Sequence, residues 1–258
     1  MLQESTKFDL RDATDYWAKD IYSWGIFSAE VYPRRCARLS WHVWFSDEAH
    51  FLLSGHVNSK NNIFWGSTPP EHCLQRPLHS VKCTAWVAIS KHGIIGPFWF
   101  EDGNEWSVTI NTDRYFQVLG KFWTALGRRR GVVRVLQWFQ QDGTTPHTSN
   151  ESLTWLQQRS HGRLISRRCD PQWSRIHRAW TPQIFICGIL KDRVYGNNPQ
   201  TISDLKAAIT AAVRAIPREE CERVIENFAR RIRMCQQRRG AHLEHIFWAP
   251  VKQRVFVV

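Results

Sequence analysis

The stretch WFSDEAHFLL, residues 44–53, constrains the fold more than any other part of the chain. Asp47, Glu48 and His50 lie inside a run of Trp44, Phe45, Phe51, Leu52 and Leu53 that reads as a buried strand with a polar insertion. A charge withdrawn from water costs free energy unless it is paired or holds a metal. Either the acids point outward, or the strand carries a metal site. Successive side chains of a strand face opposite ways, so Asp47 and Glu48 turn to opposite faces. A metal site would need a second acid elsewhere in the chain, and a third.

The rest of the chain supplies an α/β setting for that strand. Residues 42–53 form the first strand, and NIFWG (62–66) is a second short strand ended by Gly66. Residues 67–80, with three prolines, read as a loop. VKCTAWVAIS (81–90) and IIGPFWF (94–100) are strands around the turn KHG, so the first part is an antiparallel meander. In NTDRYFQVLGKFWTALG (111–127), Tyr115, Phe116, Leu119, Phe122 and Trp123 fall at helical spacing, with Asn111 or Thr112 as cap. VVRVLQWF (132–139) returns to a strand that runs out at Asp142 and Gly143. A helix follows at 148–160, capped by Thr148 or Ser149, then a short strand RLIS (163–166). The C-terminal part is helical over 201–217, capped by Ser203 or Thr201, and over 218–240, ended by Gly240. Strands, helix, strand, helix, strand and helices in that order predict an α/β fold with a mixed sheet.

Charge narrows the partners. Lys and Arg number 35 against 23 Asp and Glu, a formal +12, which favours a polyanion and above all nucleic acid. The run ARRIRMCQQRRGAH (229–242) reads equally as a phosphate-contacting face or a solvated helix face. The seven cysteines are odd in number and form no CxxC pair, which argues against a disulfide framework or a zinc site and for free thiols in a reducing compartment. No run is long enough to span a bilayer, and MLQESTKFDLRDATDYW reads as neither signal core nor transit peptide.

Asp142 is the candidate second acid. It closes a strand before a turn and a helix, and strand ends of open sheets gather ligand groups. Carboxylates of Asp47 and Asp142 on neighbouring strands would suit Mg²⁺, which takes oxygen ligands, and a pair of such ions can drive phosphodiester cleavage. The plainer alternative is that Asp142 caps the turn QDGTT and Asp47 is an edge-strand acid. His50 and His147, close to these acids in sequence, read as hydrogen-bonded structural histidines rather than ligands.

Several longer motifs share one pattern. FSDEAHF (45–51), HGIIGPFWFED (92–102), WFQQDGTTPHTS (138–149), GRLISRR (162–168) and LKDRVYGNNPQTISDLKAAI (190–209) resemble, in order, the catalytic domain of mariner-type transposases, insect-type branch, across roughly residues 42–247. The resemblance implies an RNase H-like core and metal-dependent DNA cleavage and strand transfer by three acids, with Mg²⁺ or Mn²⁺ as cofactor. Asp47 matches the first acid and Asp142 the second; both are implied metal ligands. DNA is the implied partner, a homodimer the implied assembly and the nucleus the implied location, with no membrane role. Residues 1–41 then form a degenerate N-terminal segment, 42–200 the catalytic domain and 201–258 a helical C-terminal region. The family carries a helix-turn-helix region before its catalytic domain. Residues 1–41 match it poorly, so the expected DNA binding is nonspecific.

The pattern breaks at the third acid. The family reads W-A-P-H-S-P-D-L-x-P-x-D-F-x-L-W-G, whereas this chain reads WSRIHRAWTPQIFICGILKD (173–192), with Gln183 at the acid's place. The flanks DPQW and LKDRVY still match. Reading the middle one base out of frame, the last base of each codon joined to the first two of the next, restores S-P-x-L-x-P-P-D-F-Y-L-W. The segment is also one residue short, as a one-base loss followed by a two-base loss would leave it. The chain is thus expected to be a decayed transposase, out of frame from about residue 175 to 188, and catalytically dead. Gln183 offers only a neutral amide oxygen, and Arg175, His177 and Arg178 replace apolar positions. Asp192 matches a family position that coexists with the third acid, and Asp170 is the other nearby acid. Two further readings stand beside this one: a non-enzymatic basic nucleic-acid-binding protein, and an active nuclease using Asp170 as third ligand. The hidden Asp requires Gln183 to be encoded by CAG; sequencing the gene checks this, and CAA would overturn the frameshift.

Overall fold

A computed structural model of the chain describes residues 42–55, 81–169 and 182–237, apart from the side chains of 183–187, 232, 235 and 236. The strand expected at 62–66, the loop at 67–80 and the helix end at Gly240 lie outside the described residues. So does Asp170.

The acid-bearing strand, β1 (Val43–Leu52), is the middle strand of a five-stranded sheet ordered β3-β2-β1-β4-β5. β2 (Lys82–Ser90) and β3 (Gly93–Trp99) follow it as the expected antiparallel meander, with Phe45 opposite Ile89 and Leu52 opposite Lys82. β4 (Trp138–Gln140) joins the other side of β1 in parallel, from Val43 beside Trp138 to Phe45 beside Gln140. β5 (Leu164–Ile165) extends the parallel half.

Alternation along β1 splits the core in two. Val43, Phe45, Ala49 and Phe51 face three C-terminal helices, α3 (Pro182–Tyr195), α4 (Ile202–Arg214) and α5 (Arg218–Gln237), which contribute Leu190, Val194, Leu205, Ile209, Ile225 and Phe228. Trp44 faces the other way, into a cluster with Trp86, Phe139 and the apolar stripe of α1 (Thr112–Gly127), closed by Leu153 and Leu156 of α2 (Asn150–Ser160). The sheet is therefore covered on both sides, the three-layer arrangement that parallel strands require.

Capping chemistry fixes the helix starts. The Asn111 side chain accepts from the Arg114 amide, Ser149 from the Ser152 amide, and Thr201 forms a capping box with Asp204. Each of these was one of the two candidates in the sequence. Cys83, Cys169 and Cys221 are free thiols. Among the described residues no helix is long and apolar enough to cross a membrane.

Two elements differ from expectation. Of the strand expected over 132–139, only Trp138 and Phe139 lie in β4; residues 134–136 form a 3₁₀ turn. A strand needs a neighbour, and β1 begins only at Val43, opposite Trp138. Val133, Val135 and Leu136 are exposed. Helix α3 was not expected at all: apolar residues run without interruption from Ile184 to Leu190 apart from Gly188, which hides the helical period.

Gly96 shapes β3, the outermost strand of the sheet on that side among the described residues. The β2–β3 register slips by one residue between Trp86 and Ala88, a bulge on β3. There Gly96 adopts φ +119, and a Cβ would fall 2.7 Å from the Trp86 carbonyl oxygen. Gly96→Ala is expected to destabilise the fold by ~2 kcal/mol or more, from the left-handed backbone and the clash together; urea unfolding measures it.

Candidate functional site

The parallel pairing of β1 with β4 sets the two strands that lead to the sequence-predicted acids side by side. Phe45 stands beside Gln140 in the last pair of that ladder, with Asp47 two residues beyond Phe45 and Asp142 two beyond Gln140. β4 ends at Gln140, so both acids lie where the ladder opens, at the carboxyl end of a parallel strand. The Ser46 hydroxyl holds that end by donating to the Gln140 carbonyl at 2.9 Å.

Each acid has its own surroundings. Asp47 is half-buried on the face of Phe45 and Ala49, and its Oδ1 accepts from the Glu48 amide at 2.9 Å. Glu48 turns to the opposite face, as the alternation requires. Its Oε1 lies 3.1 Å from His147 Nε2, and His147 Nδ1 lies 2.7 Å from Asp142 Oδ1. The same Asp142 oxygen accepts from the Thr144 amide and hydroxyl at 3.0 and 2.9 Å. Thr144 and His147 both belong to the turn after β4, which thereby wraps the carboxylate.

A ring set between two carboxyl groups bonds both best by donating from both nitrogens, which favours the imidazolium form of His147. His147 is 1% exposed. Burial alone would lower its pKa; the charge of Glu48 and the hydrogen bonds to Asp142 and Glu48 outweigh that and raise it to about 10. For Asp142, burial pushes the carboxyl up, but the hydrogen bond and charge of His147, helped by Thr144, hold it well below the usual carboxylate range.

A buried polar frame lies under this pair. Tyr115 of α1 stacks on the His147 ring with centroids 4.1 Å apart and donates to Gln141 Oε1 at 2.6 Å. Gln141 Nε2 donates to the His147 carbonyl at 2.7 Å and to Ser166 Oγ at 3.0 Å. Gln141 thus ties β4, the turn, α1 and the residue after β5 into one unit. Burial, with the charges of Glu48 and Asp142, raises the Tyr115 pKa well above 10. Basic side chains edge the site: the Arg167 stem packs on Gly143, and Arg168 donates to the Thr148 carbonyl at 3.0 Å.

The remaining candidates lie elsewhere. His50 hydrogen-bonds Thr84 Oγ1 at 2.9 Å, a structural role. Asp192 is exposed on α3. Gln183 is in the first turn of α3, with its side chain outside the described part. Among the described residues no three His, Cys, Asp or Glu side chains are grouped to hold a metal. The donor types of Asp47 and Asp142 fit a hard cation such as Mg²⁺ or Mn²⁺, but as two carboxylates they make only part of a ligand set. Sequence reasoning missed the link from Glu48 to His147. Its only trace was an acid or histidine close to each candidate acid, in FSDEAH and QQDGTTPH.

The pKa shifts have opposite signs. His147 is raised, so its contribution to stability is full below the ordinary histidine pKa and is lost as pH rises toward about 10. Asp142 is depressed, so its contribution is present above the ordinary Asp pKa and is lost as pH falls through the acid range. Nitrogen NMR of the imidazole is expected to find His147 still doubly protonated at pH 8; a neutral ring there would refute the bridge.

No family model and no curated protein matches the chain. Solved structures do match it. A pre-cleavage Mos1 transpososome is 15% identical with TM-score 0.65, covering 95% of this chain and 68% of that one. The Mos1 mariner paired end complex with Mn gives the same identity and score over 94% and 68%. The catalytic domain of Mos1 mariner transposase is 15% identical with TM-score 0.61, over 94% of this chain and 100% of that one. What is shared at this identity is the fold: the five-stranded mixed sheet between two helical layers is the RNase H-like fold of the Mos1 mariner transposase catalytic domain.

Proposed function

We propose that the chain is the catalytic domain of a mariner-type transposase that has lost its chemistry and kept its scaffold. The observation that carries this reading is the parallel β1–β4 ladder, which ends two residues before Asp47 on one strand and two before Asp142 on the other, in an RNase H-like sheet whose third acid position reads Gln183. In the intact ancestor the two carboxylates would have held Mg²⁺ or Mn²⁺, the metals named with the Mos1 structures. Such an ion supplies a Lewis acid for attack on a phosphodiester. Of the chain's own residues, Thr144 donates to Asp142 through its amide and hydroxyl, and Arg167 and Arg168 add positive charge close to the turn after β4.

Replacing an acid by Gln183 removes one negative ligand. Changes one shell further out typically cost ~10–100-fold in metal affinity or activity, and loss of a direct ligand costs more. DNA is the proposed partner, as in the Mos1 transpososome and paired end complexes. The formal +12 supports this, as do Arg223, Arg230 and Arg233, exposed along one side of α5. A DNA partner would place the protein in the nucleus.

Nicking of supercoiled plasmid by the purified chain with Mg²⁺ or Mn²⁺, beside an Asp142→Asn control, tests the loss of chemistry. The expected outcome is no metal-dependent nicking above the control. Nicking that Asp142→Asn abolishes would mean that another residue supplies the third ligand.

A further inference from the structure

We propose that His147, anchored by Glu48, is the positioning residue of Asp142: it fixes the carboxylate of the second acid so that it presents a preset oxygen donor to a divalent cation. The inference rests on the reading of Asp47 and Asp142 as metal ligands and extends it to two residues which that reading leaves without a role.

Geometry carries the argument. The His147 ring bridges carboxylates that belong to distant parts of the chain, Nδ1 at 2.7 Å from Asp142 Oδ1 and Nε2 at 3.1 Å from Glu48 Oε1. With a side chain only 1% exposed, it does not itself reach solvent or substrate. Every degree of freedom of the ring is taken: both nitrogens are bonded, Tyr115 covers one face, and Gln141 holds the backbone carbonyl. The Nδ1 contact falls on Asp142 Oδ1, the same oxygen that takes both Thr144 donors. A turn that merely needed capping would be satisfied by Thr144. The additional link to β1 through Glu48 joins the second acid to the strand that bears the first, because Glu48 directly follows Asp47. The separation between the two candidate ligands is thereby set by one buried side chain rather than by the turn alone. Hydrogen-bond partners of metal ligands commonly orient them in this way.

Mn²⁺ binding to the full chain, followed by electron paramagnetic resonance well below the unfolding temperature, separates this role from simple packing. The chain is expected to bind Mn²⁺ weakly, and Asp47→Asn or Asp142→Asn to abolish binding. His147→Ala is expected to weaken it ~10–100-fold, the usual effect of removing a ligand's orienting partner. Glu48→Gln keeps the shape of the side chain and should move affinity in the same direction by less. His147→Asn retains a donor near the Nδ1 position and should recover part of the loss. If the Asp variants abolish binding while folded His147→Ala and Glu48→Gln bind as the unmodified chain does, the positioning role falls and the metal reading stands. If the unmodified chain binds no better than Asp142→Asn, the metal reading fails and takes the positioning role with it.

Discussion

A strand covered on both faces gives a charge little access to water, and β1 is such a strand, with Asp47 and Glu48 only partly exposed. Antiparallel β2 and parallel β4 occupy its edges, helices α3–α5 cover one face and α1–α2 the other. Alternation sends Asp47 to one face and Glu48 to the other, so one partner cannot serve both. Glu48 is satisfied by an imidazolium brought in by the turn after β4. That pairing locks the turn to β1, and the turn in turn holds Asp142. The site is in this sense a consequence of placing two consecutive acids in a doubly covered strand.

The apolar layer behind the site gives this polar frame a fixed base. Trp86, Phe122 and Phe139 pack ring to ring, with Phe122 edge-on to Trp86 at 5.4 Å and Phe139 stacked on Trp86 at 6.5 Å. Trp44 meets Phe122 edge-on at 5.8 Å and donates its indole N–H to Gln137. Trp86 Nε1 is buried with no hydrogen-bond partner among the described residues. An unmet donor costs ~1–3 kcal/mol, and Trp86 tolerates it because its ring sits between Phe98 and Phe139 and burying an aromatic of that size returns more. Phe139 precedes Gln140 and Gln141 directly, so this aromatic packing sets the height at which Gln141 and Asp142 leave the sheet.

Much of this was legible in the sequence, and the rest was hidden for definite reasons. The meander, α1, α4 and α5 could be read because turn chemistry, caps and apolar spacing agreed with one another. Asp47 and Asp142 stood out as a carboxylate among aromatics and one at a strand end before Gly143, but the residues alone equally fit an edge-strand acid and a turn cap, and only the resemblance singled them out as metal ligands. Val133, Val135 and Leu136 misled because β-branched and apolar residues indicate a strand only if a neighbouring strand is present to pair with. Helix α3 was hidden because the apolar run Ile184–Leu190, broken only by Gly188, shows no period to detect. The role of His147 was hidden for another reason: its partners lie 5 and 99 positions away, and the second separation exists only once the parallel register is formed.

The same register sets a polar frame against an apolar scaffold. Glu48 and Asp142 both bond the buried imidazole of His147, which ties the turn after β4 to β1. The residues that hold the sheet together, from Trp44 and Phe45 to Phe139, find their partners in aromatic rings and apolar side chains, whereas Gln141 joins the polar frame through Tyr115, Ser166 and the His147 carbonyl. Packing and polar frame thus rest on different side chains of the same strands, so a change in one need not disturb the other.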